Sequence, residues 1–179
     1  TLPVVYNSSA YESPATIQAL QGWIDIYLPD YKYFSDALAI SLSGVADYFP
    51  HASAAIREMF NQVGECEFNP DGLLRRGVLI RHLALPGQAA DSHRLLKAIR
   101  DNFGANSWFS LMNQYTPPAD TAMPLELARR LTTDEYDELI DFALSLGLEN
   151  GFIQEAGSAS EKFIPDFNLD GILHKGEQS

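Results

Sequence analysis

Hydrophobic and polar positions follow two regimes along the chain. Five short runs are apolar and rich in β-branched residues: Pro3 to Asn7, Trp23 to Leu28, Gly77 to Leu85, Ser107 to Met112 and Gly151 to Gln154. Their length and composition predict strands. Between them, apolar residues recur every three to four positions, the spacing of one helix face. Ile56, Met59, Phe60 and Val63 form one such stripe, which stops at Gly64. Leu95, Leu96, Ile99 and Phe103 form another, opened by Asp91-Ser92 and closed by Gly104. A shorter helix begins at Ser13-Pro14, a capping serine followed by proline at the first helical position. It carries Ile17 and Leu20 and closes at Gly22. The last opens with Thr132-x-x-Glu135, a capping box, carries Tyr136, Leu139, Ile140 and Ala143, and ends at Gly147.

The predicted order is β-α-β-α-β-α-β-α-β, an α/β chain. Strands alternating with helices imply a parallel sheet joined by right-handed crossovers. Gly77 to Leu85 is almost continuously apolar, as in a strand covered on both faces, with Arg81 and His82 as interruptions. Trp23 and Trp108 open strands and are expected in the core. Beyond Glu155 the periodicity fades. Residues 1–155 are therefore expected to form the βα unit, and residues 156–179 a tail packed on or beside it through Phe163, Ile164, Phe167 and Ile172.

Two architectures fit this order, a doubly wound sheet and a TIM-type (βα) barrel. The first usually has a glycine-rich turn after its first strand, where this chain has Asn7-Ser8-Ser9-Ala10. Polar residues collect instead at the strand ends, where barrels keep their chemistry, so the barrel is favoured. A full barrel takes roughly 250 residues, and the chain has 179. It also starts at Thr1, inside a strand-like run. The expectation is a partial barrel, incomplete at its N-terminal side, with an unpaired edge on the strand at Pro3 to Asn7.

Composition narrows the function. The 46% hydrophobic content is that of a globular domain. Against 12 Lys and Arg stand 24 Asp and Glu, a net charge of −12, which disfavours both nucleic acid and anionic lipid as partners. No apolar run approaches the ~20 residues of a membrane span. The one cysteine, Cys66, forms no internal disulfide and points to a reducing, cytoplasmic setting. Alone it holds neither a zinc nor a multi-thiolate cluster, and His51, His93 and His174 lack metal-ligand spacing, so no metal ligands are assigned. The acidic run at Asp134 to Glu138 opens a helix, where the dipole favours negative charge.

Candidate chemistry therefore lies at the strand ends. Asn7 and Ser8 present an amide and a hydroxyl, either to a ligand or to a local turn. Asp30 and Lys32, two apart, share a side of an extended segment. They form either an ordinary ion pair or a site for a zwitterion, with Asp30 taking the amine and Lys32 the carboxylate. Lys32 is alternatively a Schiff-base lysine. Arg81, amid apolar residues, needs a carboxylate partner or an anionic ligand. His82 points the other way and reads as a satisfied core histidine. Past the fourth strand, Gln114 or Tyr115 reaches toward the same end.

These segments, taken in order, resemble a known family. Ile26-Tyr27-Leu28-Pro29-Asp30-Tyr31-Lys32-Tyr33 is similar to the "D-x-K" strand of radical S-adenosylmethionine (SAM) enzymes, in the group of pyruvate formate-lyase activating enzyme. Val5 to Tyr11 resembles that group's N-T-S-G-Y run, and Ile80 to Gly87 its R-H-x-x-L-P-G strand. Ser110 to Tyr115 and Gly151 to Glu155 resemble its late segments. The resemblance implies a partial (βα) barrel with SAM across its strand ends. It places Asp30 and Lys32 at the methionine or ribose region and Arg81 at the carboxylate. It adds Asn7 and Ser8 to the lining, with Leu83 and Gln114 on the far side. The parent enzyme would reductively cleave SAM at a [4Fe–4S] cluster, yielding a 5′-deoxyadenosyl radical that acts on a partner such as a glycyl-radical enzyme. The chain departs from the family in lacking the C-x-x-x-C-x-x-C cluster motif and the G-G-E-P strand, and Ala10 stands where the group usually has Gly. By itself the chain is thus expected not to cleave SAM; a non-redox or degenerate SAM-binding homologue is the alternative.

Overall fold

A computed structural model describes residues 2–117 and 124–153. The first strand, β1 (Val5–Ser8), is followed by α1 (Pro14–Ala19) and β2 (Ile26–Pro29). Two helices come next, α2 (Asp36–Ser43) and α3 (Tyr48–Val63), then β3 (Glu67–Phe68) and β4 (Leu74–Leu83). The chain continues through α4 (Ala89–Phe103), β5 (Trp108–Met112), a 3-10 turn at Leu125–Ala128, α5 (Thr133–Ser145) and β6 (Gly151–Ile153). The expected tail, residues 156–179, lies outside the described residues.

The strands join in the order β1-β2-β4-β5-β6, all parallel, with β3 antiparallel on the early part of β4. The α/β class and the parallel sheet alternating with helices are thus as expected. Strand neighbours in space are neighbours in sequence apart from the β3 hairpin. Among the described residues β1 pairs on one side alone, and Val4 and Val5 beside that open edge are half exposed.

Parallel strands with right-handed crossovers in this order keep their helices on one face. Side-chain contacts identify that face. Tyr27 and Tyr31 bond to Gln62 and Ser53 of α3, His82 bonds to Ser92 of α4, and Tyr136 of α5 reaches the Leu111 carbonyl. By alternation the opposite face carries Leu28, Asp30, Leu79, Arg81, Leu83, Ser110 and Met112, all half-buried. So β4 is covered by helices on one face and not on both. Register places Asp30 beside Arg81, Arg81 beside Ser110 and Ser110 beside Phe152, one row across four strands.

Two expected helix starts are realised by their caps, whereas α4 begins at Ala89, ahead of the expected Asp91-Ser92, and the Asp91 carboxylate accepts the Phe34 and Ser35 N–H groups at 2.8 and 2.9 Å instead. Ser13 Oγ accepts the Thr16 N–H at 3.1 Å, and Thr132 with Glu135 closes a reciprocal capping box. Two further expectations are corrected. Trp23 is 75% exposed, because Gly22, at φ +82°, turns the chain and β2 begins only at Ile26. Trp108 is half-buried on the open face, against Phe68 and Phe152 at ring distances of 4.5 and 5.4 Å.

Candidate functional site

The C-terminal ends of β2, β4 and β5 enclose a cavity of about 280 Å³ on the open face. That is close to the lower bound, roughly 300 Å³, of small-molecule sites. Asp30, Lys32, Arg81, Leu83 and Gln114 line it, together with Tyr33, Leu85 and Met112. Five of the residues read from the sequence as strand-end candidates therefore converge on one space.

Arg81 sits mid-row in β4, between the β2 extension and β5. Its Nη2 donates to Asp30 Oδ1 at 2.5 Å and to Asn7 Oδ1 at 2.6 Å. Both partners of the ion pair are about three-quarters buried, with side-chain exposures of 23% and 25%. Arg81 thus meets a carboxylate, one of the two partners its position demanded. Its Nε is also buried and has no hydrogen-bond partner among the described residues. A buried donor of this kind ordinarily has an acceptor.

Lys32 shares the Asp30 side of the segment but does not pair with it. Among the described residues its ammonium has no ion-pair partner, since the Asp30 carboxylate is taken by Arg81. The cavity rim therefore carries one neutralised pair and one further positive charge. Leu83, Leu85 and Met112 make an apolar wall, and Gln114 Nε2 lies 3.8 Å from Met112 Sδ. Tyr115 turns away, its hydroxyl donating to the Leu127 carbonyl at 2.9 Å; of the two strand-end candidates, Gln114 faces the cavity.

Asn7 and Ser8 divide by alternation. Asn7 lies on the open face and braces Arg81. Ser8 lies on the helix side, where Oγ donates to Glu12 at 3.2 Å and accepts the Ala10 N–H at 3.0 Å. That is the turn role foreseen beside the ligand role. Ala10 itself takes φ +58°, fully buried.

His82 is buried, with Nδ1 3.0 Å from the Tyr31 carbonyl and Nε2 2.9 Å from Ser92 Oγ. A carbonyl only accepts, so Nδ1 carries the proton and Nε2 accepts from Ser92. Desolvation pushes its pKa below the ordinary value, although the Tyr31 carbonyl and the Asp91 charge favour protonation. Cys66 is half-buried and donates to the Val78 carbonyl at 3.2 Å, and burial pushes its thiol up to about 12. It is neither nucleophile nor ready ligand at neutral pH. Among the described residues no three His, Cys, Asp or Glu side chains are grouped to hold a metal ion. No helix among them is long and apolar enough to cross a membrane.

No protein-family model matches the chain, and no solved structure matches it. The chain is similar to a protein of Methanocaldococcus jannaschii named "Uncharacterized protein MJ0674", at 27% identity over 149 residues. That alignment takes in 83% of this chain and 40% of the archaeal protein, so the chain spans less than half the length of the relative it matches.

Proposed function

We propose that this chain supplies the SAM-binding strand ends of a radical SAM enzyme resembling pyruvate formate-lyase activating enzyme, built as part of a (βα) barrel. One observation carries the reading. Asp30, Lys32, Arg81, Leu83 and Gln114, taken from three separate family-like motifs, line a single cavity. Strand order adds support, because a doubly wound sheet reverses its order at a switch point and this one does not. Ligands of open and closed α/β sheets alike sit beyond the carboxyl ends of the strands, which is where the cavity lies.

The donor set suits an α-amino acid zwitterion. Asp30 keeps its second carboxylate oxygen for an ammonium group. Lys32 offers a charge-assisted bond to a carboxylate. Leu83, Leu85 and Met112 take the apolar part of the ligand. The [4Fe–4S] cluster does not fit this chain: it needs three thiolates, and the chain has one cysteine, held to a backbone carbonyl. Cluster chemistry and the activated protein partner therefore belong to the parent enzyme.

Two measurements test the proposal. In calorimetry, SAM is expected to bind the chain saturably, and Lys32→Ala to weaken binding about tenfold or more, the loss of one charge-assisted bond. Absence of saturable binding at millimolar SAM, or unchanged affinity in Lys32→Ala, overturns it. The reading frame ahead of Thr1 is the second. A C-x-x-x-C-x-x-C motif there supports the radical enzyme. Its absence leaves the second reading, a SAM-binding module without redox chemistry, which the single cysteine favours.

A further inference from the structure

Tyr48 opens α3, away from every strand-end motif, and is buried. Its phenol oxygen meets three backbone groups. It accepts the Lys32 N–H at 3.0 Å. Its one proton is shared between the carbonyls of Asp30, at 2.5 Å, and Ser9, at 2.9 Å. The β2 ladder ends at Pro29, with a single bridge beyond it from Asp30 to Arg81. The Asp30 carbonyl and the Lys32 amide therefore find a hydroxyl where a ladder partner would have been. These two residues put the β2 charges into the cavity, and Ser9 belongs to the turn that follows Asn7. The Tyr48 ring also stands 5.3 Å from that of Tyr33, another wall of the cavity.

We propose that Tyr48 is a positioning residue of the cavity: its hydroxyl clamps the backbone on both sides of Tyr31 and so aims Asp30 and Lys32 at the ligand. The ligand half of this inference rests on the SAM reading above; the clamp itself does not. Removing the hydroxyl leaves a buried amide and carbonyl without a partner, so the segment shifts to find one. The ring and its packing stay in Tyr48→Phe. Tyr31→Phe is the matched control: it removes a buried hydroxyl that bonds Ser53 of α3 and touches neither cavity residue.

Two readouts are compared in the full chain, with thermal melts and circular dichroism to establish folding. The first is SAM affinity. Tyr48→Phe is expected to weaken it about tenfold, the effect of one misaligned charged contact, and Tyr31→Phe less than about twofold at a similar melting temperature. The second needs no ligand: the ¹³C resonances of dimethylated Lys32, assigned with Lys32→Arg, should move in Tyr48→Phe and stay in place in Tyr31→Phe. If wild type binds no SAM, the SAM reading fails and the Lys32 resonance alone decides the clamp. Equal effects of the two variants, an unmoved Lys32 resonance, or loss of folding in Tyr48→Phe would each make Tyr48 merely structural and overturn the proposal.

Discussion

Gly77→Ala is expected to destabilise the fold by on the order of 3 kcal/mol, and Gly72→Ala by about 1 kcal/mol. Both glycines have positive φ, +122° and +77°. Around Gly72, at the tip of the β3–β4 hairpin, a new Cβ meets nothing within 4 Å. It carries only the backbone penalty of an L-residue in that region. A Cβ on Gly77 would stand 2.5 Å from both Cys66 Cα and Glu65 O. Those are backbone atoms, which cannot swing aside as a side chain does. Gly77 is also pinned where it is: its N–H donates to the Asp25 carbonyl at 3.0 Å, and it registers beside Ile26 of β2. Relief has to come from moving the β3 arm or the β2–β4 pairing, and that pairing holds Asp30 against Arg81. Urea denaturation of the two variants checks this. Equal losses for both would show that the chain yields at Cys66 without strain and would refute the close-packing account.

Much of the sheet was legible because strands and helix caps are written locally. Ser13-Pro14 and Thr132-x-x-Glu135 state their helix starts in four residues or fewer. The missed helix, α2, has a capping Ser35 and a left-handed Gly44. Its apolar residues, however, lie at Leu38, Ile40 and Leu42, a spacing of two that resembles a strand, and only Ala39 is buried. The β3 strand is two residues long and exists because Asn69-Pro70-Asp71-Gly72 folds it back on β4. No periodicity can announce a run that short.

The site was legible to the same depth. Alternation placed Asp30 with Lys32 on one side of their segment and His82 on the side opposite Arg81, and the family resemblance added Leu83. Alternation could not say that Asp30 and Arg81, 51 residues apart, are register partners. That depends on how far β2 runs before β4 begins to pair, which is set by sheet geometry and not by neighbouring residues. The ion pair thus formed at Arg81 in place of Lys32. Tyr48 was silent for a similar reason: a tyrosine near a helix start reads as core, and its role lies wholly in three backbone groups of distant residues.

Stability is expected to fall as pH drops below about 6.5, and His82→Ala is expected to flatten that fall while lowering stability at pH 7 by about 3 kcal/mol. Burial lowers the folded-state pKa of His82, while the unfolded chain keeps the ordinary value. Between the two, the unfolded state binds more protons, so stability rises with pH and is lost on acidification, by up to about 1.4 kcal/mol per pH unit. Above pH 7 both states are neutral at this residue and it contributes no slope. The loss at neutral pH has a separate origin: without the imidazole, the Tyr31 carbonyl and the Ser92 hydroxyl lose their partner in the core. Urea midpoints of wild type and variant from pH 5 to 8 check both parts. A variant slope as steep as that of wild type would assign the acid sensitivity to other groups and refute the role of His82. The consequence reaches the cavity, because the Tyr31 carbonyl held by His82 lies between Asp30 and Lys32, and the Tyr31 N–H bonds the Arg81 carbonyl at 2.7 Å. Because burial keeps native His82 neutral through that window, loosening of this row is expected only below it, once the pH falls through the folded-state pKa and Nε2 can no longer accept from Ser92.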